Sequence, residues 1–210
     1  MDTTKELAEL HTHTYDTLAG EYEQRVTDLA PVTEEAVLWA AEYFPAKGRI
    51  LDLGCGVGLA SHFFIKNGFE VVCLDISSKM IEFAKKRNPG TQFLQEDFLT
   101  ATFDGTFEAV FAFAFIHLFP KDVALKILRK VHSILNQDGT FYLGTTKSQD
   151  SREGYEVKKD YRGEYKRYRK HWTKDELKES LIESGFVMLD EKEYRDPFGK
   201  VWMDFIVRKI

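Results

Sequence analysis

Residues 50–58 read Ile50-Leu51-Asp52-Leu53-Gly54-Cys55-Gly56-Val57-Gly58, an apolar run that enters three alternating glycines. Glycine at 54, 56 and 58 lets a backbone turn tightly and approach a ligand with no Cβ in the way. A helix opening near Gly58 would offer unpaired N–H groups and the positive end of its dipole. Such a turn is built to hold a nucleotide-like ligand. A dinucleotide fingerprint, G-x-G-x-x-G, needs glycine or alanine at 59, where this chain has Leu59. Asp52 just before the turn would also repel a pyrophosphate. It suits a ligand that carries an ammonium group.

The segment Asp52-Leu53-Gly54-Cys55-Gly56-Val57-Gly58 resembles motif I of the class I S-adenosylmethionine-dependent methyltransferases, whose pattern is acidic-x-Gly-x-Gly-x-Gly. The resemblance implies S-adenosyl-L-methionine as cofactor, held by Asp52, Gly54, Cys55, Gly56 and Gly58. It implies that Asp75, 21 residues after Gly54, accepts both ribose hydroxyls. A first-turn carboxylate or helix N-cap is the plainer role for Asp75. By the same resemblance Asp97 meets the adenine amino group and the Phe98 N–H meets a ring nitrogen. Ile76 and Met80 either flank the adenine or belong to the core. Ala114 and the stretch after it line the methionine end. The phrase Tyr15-Asp16-Thr17-Leu18-Ala19-Gly20-Glu21-Tyr22 is similar to one that precedes the core in many small-molecule methyltransferases. Tyr15 or Tyr22 then reaches the cofactor carboxylate, or both simply pack their helix.

The acceptor end is less marked. Residues 113–119, Phe-Ala-Phe-Ile-His-Leu-Phe, lack the Asn/Asp-Pro-Pro-aromatic signature of exocyclic-amine methyltransferases. His117 is a candidate general base near neutral pH, with loop packing as the alternative. Residues 147–174 hold ten Lys/Arg and five Asp/Glu, so the rest of the chain is near −10 for the stated −5. Within this strip Tyr161, Arg167, Arg169 and Trp172 are candidate substrate contacts, suited to an anionic or aromatic acceptor. A solvated, charged hairpin is the alternative.

These residues need strands and helices to carry them. Short apolar strands are expected at 49–53, 70–74, 91–95, 107–113 and 139–144. Helices are expected at 58–67, 77–87 and 122–135, with a turn at 136–139. N-terminal helices cover 2–29 and a stretch opened by Pro31, through Trp39 and Tyr43 to Pro45. A last helix at 174–184 precedes strands near 186–189 and 201–208. Such alternation predicts an α/β fold, a parallel sheet with ligands at the carboxyl ends of its strands. The methyltransferase resemblance sharpens this to a three-layer sandwich with a seven-stranded sheet, order 3-2-1-4-5-7-6, strand 7 antiparallel. The whole is read as one domain, 1–210, comprising helices 1–45, a cofactor core 46–146, a cap insertion 147–172 and closing elements 173–210.

A chain of 210 residues with 43% hydrophobic and 30% charged content is expected to be globular. Its charge of −5 does not favour nucleic acid. Met1–Gly20 has no apolar core between basic residues, and the run 109–119 is too short for a bilayer, so a cytoplasmic protein is expected. Cys55 and Cys73 suggest neither a disulfide framework nor a zinc site, and no metal is expected. The expected activity is methyl transfer to oxygen or nitrogen of a small molecule. A nucleic-acid or protein methyltransferase using residues 155–172, or a catalytically silent cofactor-binding domain, are the alternatives.

Overall fold

The computed structural model describes residues 3–158 and 163–210. Two N-terminal helices, α1 (Thr3–Gln24) and α2 (Val26–Ala41), lead into β1 (Arg49–Leu53), α3 (Leu59–Lys66), β2 (Glu70–Asp75), α4 (Ser78–Arg87) and β3 (Gln92–Gln95). Then come β4 (Phe107–Phe113), a 3-10 turn (Ile116–Leu118), α5 (Lys121–Ile134) and β5 (Leu135–Thr146). A hairpin of β6 (Arg152–Lys158) and β7 (Tyr165–His171) is followed by α6 (Lys174–Glu183), β8 (Phe186–Arg195) and β9 (Val201–Lys209).

The main sheet has seven strands in the order β3-β2-β1-β4-β5-β9-β8. Leaving the separate β6–β7 hairpin aside, this is the expected 3-2-1-4-5-7-6 arrangement. The first five strands pair in parallel and β9 runs antiparallel between β5 and β8. Side-chain alternation splits the core into two faces. Leu51, Leu53 and Val110 pack with α5 and α6 through Val123, Leu128, Leu177 and Leu181. Ile50, Ala109 and Phe111 pack with α2 and α3 through Val37, Ala40, Phe63 and Phe64. Burial on both sides is why β1 and β4 are almost continuously apolar. Among the described residues no helix is long and apolar enough to cross a membrane.

Two local expectations change. Pro31 does not open α2 but lies inside it, five residues after the start at Val26. The apolar stripe Val26, Ala30, Thr33, Val37, Ala40 runs at helical spacing straight through the proline, with Thr33, Val37 and Ala40 buried. That packing outweighs the one backbone donor that proline removes. Residues 136–139 are not a free turn but a bulge within β5. Leu135 pairs with Phe107 and Thr140 with Ala109, and Asp138 takes up the extra length at φ 61°.

Candidate active site

The loop between β1 and α3 is held from below. The Gly54 and Cys55 N–H groups both donate to Leu74 O, at 2.8 and 3.0 Å. Gly54, Gly56 and Gly58 all have positive φ. The Gly56 N–H donates to Asp75 Oδ2 and the Ser77 N–H to Asp75 Oδ1, each at 2.9 Å. Asp75 is therefore clamped by backbone donors, and each oxygen keeps a lone pair for another partner. It is not the cap of α4; Ser77 is, accepting from the Met80 N–H. Beneath the loop, buried Asp52 accepts a hydrogen bond from Ser61 Oγ, which also lies 3.1 Å from Cys73 Sγ. Burial pushes Asp52 up to about 7 and Asp75 up to about 6.

These groups open on one cavity of about 430 Å³ that runs along the carboxyl edge of the sheet. Beyond β3 its wall is Asp97 and Phe98, with the Leu99 N–H donating to Asp97 Oδ1 at 3.0 Å. Beyond β2 come Asp75, Ile76 and Met80, and beyond β1 come Asp52, Gly54, Cys55 and Gly56. Ala114 and His117 line it beyond β4, and Thr146 at the end of β5. Met80 lines the cavity and also packs with Ala19 and Val57. Gly58 is placed differently from the other two glycines. It is the N-cap residue of α3 and is absent from the cavity wall; a Cβ there would meet Asn88 Nδ2 at 2.7 Å and Ala84 Cβ at 2.9 Å. Its glycine serves the packing of α3 against α4.

The N-terminal helix forms the roof. Tyr15, Ala19 and Tyr22 fall on one face of α1 at i, i+4 and i+7, over Met80 and Val57. Asp16 docks that face, accepting from Ser77 Oγ at 2.6 Å and from the Lys79 N–H at 3.1 Å. Tyr15 and Tyr22 both line the cavity, their rings 6.1 Å apart, and burial pushes the Tyr15 phenol well above its ordinary range. His11, which sequence reasoning missed, also lines the cavity from α1. Burial lowers its imidazole to about 4, so it is neutral at ordinary pH.

The basic strip divides. Arg167 donates through Nε and Nη2 to Glu156 Oε1, and His171 Nε2 lies 3.1 Å from Glu156 Oε2. Lys170 pairs with Glu176 and donates to Ser151 Oγ. Part of the strip's charge is thus neutralised within the hairpin and its base. Arg169 differs. It is 9% exposed, lines the cavity, and donates through Nη2 to Thr146 Oγ1. Trp172 is fully buried in the core beside Leu177 and is not part of the cavity wall. Tyr161 lies outside the described residues. His117 Nδ1 sits 2.8 Å from Thr145 Oγ1. If Nδ1 donates there, Nε2 is the basic nitrogen; if Thr145 donates, Nε2 carries the proton.

The far end of the cavity comes from segments with no motif. Arg25, Leu29 and Thr33 contribute from the α1–α2 side, and Phe198 and Lys200 from the turn between β8 and β9. Phe113 and Trp202 line it too and stack with ring centroids 4.7 Å apart. Antiparallel pairing sets Trp202 opposite Thr146, which brings β9 to the same edge as the loop beyond β4.

Residues 50–139 match a family described as methyltransferase domain. Residues 50–139 therefore carry a methyltransferase domain, within a fold like that of class I S-adenosylmethionine-dependent methyltransferases. This domain is 36% identical over 107 residues to YqeM of Bacillus subtilis (strain 168), covering 48% of this chain and 43% of that protein. It is 31% identical over 124 residues to a ubiquinone biosynthesis O-methyltransferase of Xanthomonas axonopodis pv. citri (strain 306), covering 56% and 50%. The chain spans about half the length of these curated relatives. In fold it is similar to Burkholderia thailandensis 1,6-didemethyltoxoflavin-N1-methyltransferase, solved with 1,6-didemethyltoxoflavin and S-adenosylhomocysteine. That similarity has a TM-score of 0.68 at 20% identity, over 94% of this chain and 90% of that one.

Proposed function

We propose that this chain transfers the methyl group of S-adenosylmethionine to an oxygen or nitrogen of a small molecule bound over the ends of β4, β5 and β9. The observation that carries the reading is Asp75. Its two oxygens are fixed by the Gly56 and Ser77 N–H groups on the wall of a cavity that also holds Asp97 and Asp52. A carboxylate clamped in this way can accept from two vicinal hydroxyls, the pattern a ribose presents. Gly56 adds a cradle, because a Cβ there would meet nothing within 4 Å. Asp52 answers an ammonium group, and Asp97 with the Phe98 backbone answers an adenine edge.

When bound, the cofactor supplies a methyl group on a sulfonium, open to in-line displacement. The chain's own part is to align the acceptor and exclude water, which Tyr15, Tyr22 and the α1 roof do from above. A base is needed where the acceptor carries a proton it must lose, and His117 is the residue proposed for it. The two named enzymes above act, by their names, in ubiquinone biosynthesis and on didemethyltoxoflavin. The stacked Phe113 and Trp202 rings offer an aromatic wall suited to a flat acceptor. Pairing of Arg167 and Lys170 with carboxylates removes part of the strip's charge, which counts against a nucleic acid. A cytoplasmic setting suits the two free thiols.

Titration calorimetry with S-adenosylhomocysteine and with NAD tests the cofactor half. S-adenosylhomocysteine should bind saturably and NAD should not. Asp75→Ala should weaken binding by ~1.5–3 kcal/mol through two lost hydrogen bonds to a charged acceptor. Unchanged affinity in a folded variant would remove Asp75 from the site.

A further inference from the structure

Among the described cations of the basic strip, Arg169 is buried yet pairs with no carboxylate. It is 9% exposed, its Nη2 donates to a threonine hydroxyl, and its buried Nε has no hydrogen-bond partner. Among the described residues it forms no ion pair. Glu156, the acid nearest to it in charge, is already taken by Arg167 and His171. Tyr15 and Tyr22 face it from α1, and Arg167 adds like charge from its own strand. Burial and that like charge lower the guanidinium to about 10, which still leaves it cationic at ordinary pH. A desolvated guanidinium of this kind is stabilised by an anion brought in with the ligand.

The order of strands says which ligand. Asp97 and Asp75 sit beyond β3 and β2, and Asp52 with its glycine loop lies at β1. Ala114 follows at β4, and Thr146, the partner of Arg169, ends β5, the next strand along. Thr146 is paired with Trp202, which stacks on Phe113. Arg169 thus stands on the far side of the β4 exit from the glycine loop, beside an aromatic wall. We propose that Arg169 is the receptor for a carboxylate or phosphate on the methyl acceptor, and that the acceptor is an anion with a planar, aromatic body. This rests on the methyltransferase reading of the same cavity.

The test uses protein saturated with S-adenosylhomocysteine, titrated with benzoate, phenyl phosphate and neutral benzamide and followed by tryptophan fluorescence. Wild-type protein should bind one of the two anions at least tenfold more tightly than benzamide. Arg169→Met should erase that preference while its affinity for S-adenosylhomocysteine stays within twofold of wild type. Arg169→Lys, which keeps the charge, should retain part of the preference and guards against a packing effect of the methionine. Absence of any anion preference in wild-type protein overturns the proposal. So does an Arg169→Met variant that loses affinity for S-adenosylhomocysteine but not for 5′-methylthioadenosine, which lacks the amino-acid carboxylate; Arg169 would then belong to the cofactor. Wild-type protein that binds no S-adenosylhomocysteine overturns the methyltransferase reading itself, and this proposal with it.

Discussion

Alanine at Gly56 and alanine at Gly58 should damage the protein in different ways, although both glycines belong to one motif. Both residues are left-handed, at φ 54° and 77°. An L side chain there costs ~1–2 kcal/mol at either position. The surroundings then separate them. At Gly56 the added methyl has nothing within 4 Å, and the residue lines the cavity. It enters the space where the ligand must approach the backbone, so the fold loses little more than the conformational cost. At Gly58 the methyl would lie 2.7 Å from Asn88 Nδ2, 2.9 Å from Ala84 Cβ and 3.0 Å from Ala84 Cα. Asn88 cannot swing away freely, because its Nδ2 donates to Gly58 O at 2.8 Å. Overpacking against helix backbone adds ~1–3 kcal/mol. Gly58→Ala should therefore lose about 2–5 kcal/mol of stability, or roughly 5–15 °C in Tm, with little change in cofactor affinity once folded. Gly56→Ala should lose at most about 2 kcal/mol of stability yet bind S-adenosylhomocysteine at least tenfold more weakly. Urea unfolding and calorimetry on the same preparations separate the two effects. If Gly58→Ala unfolds like wild type and binds as poorly as Gly56→Ala, the packing account of Gly58 is refuted.

Cofactor affinity should depend on pH through Asp52 and Asp75, which ionise near 7 and near 6 in the unliganded protein. Both must be anions to meet an ammonium and two hydroxyls. Affinity is then full above about pH 7.5 and falls as pH drops through 7 and 6, approaching tenfold or more per unit. A flat profile for S-adenosylhomocysteine between pH 5.5 and 8 would contradict these roles. Asp204 provides a stability counterpart away from the site. It is fully buried and accepts from the Tyr142 hydroxyl at 2.7 Å, and burial raises its carboxyl to about 7. Between about pH 4, where the unfolded carboxyl ionises, and about pH 7, the folded state holds a proton that the unfolded chain has lost. Wild-type stability must therefore fall across that window, by about 4 kcal/mol at most from this residue. Asp204→Asn should flatten the fall, and an unchanged slope in urea titrations would show that Asp204 does not carry it.

The cofactor half was legible because each of its parts is local. A strand end, a glycine turn and the next strand's acid lie within 24 residues, from Asp52 to Asp75, and every one projects from the same edge of a parallel sheet. What local sequence does not show has one physical origin. Gly58 is glycine because of Ala84 and Asn88, which belong to the following helix and leave no mark at position 58. Trp172 stands among cations in the sequence, yet it closes the core while the Lys170 ammonium lies over its ring at 4.9 Å. Pro31 reads as a helix opener when judged by residue type, whereas the apolar stripe from Val26 to Ala40 decides where α2 runs.

The proposed acceptor half fails to show in sequence for a physical reason. Its walls come from α1, the β6–β7 hairpin, the exit of β4 and an antiparallel β9, brought together by pairing registers rather than by a motif. Thr146 meets Trp202 because β9 is inserted antiparallel beside β5, and Arg167 meets Glu156 because the hairpin registers them directly opposite. Neither pairing follows from spacing along the chain. The hairpin pairs Arg167 and Lys170 with carboxylates and leaves buried Arg169 on the cavity wall, bonded to a hydroxyl. Substitutions in this hairpin can therefore change what the acceptor site prefers without disturbing Asp52, Asp75 or Asp97.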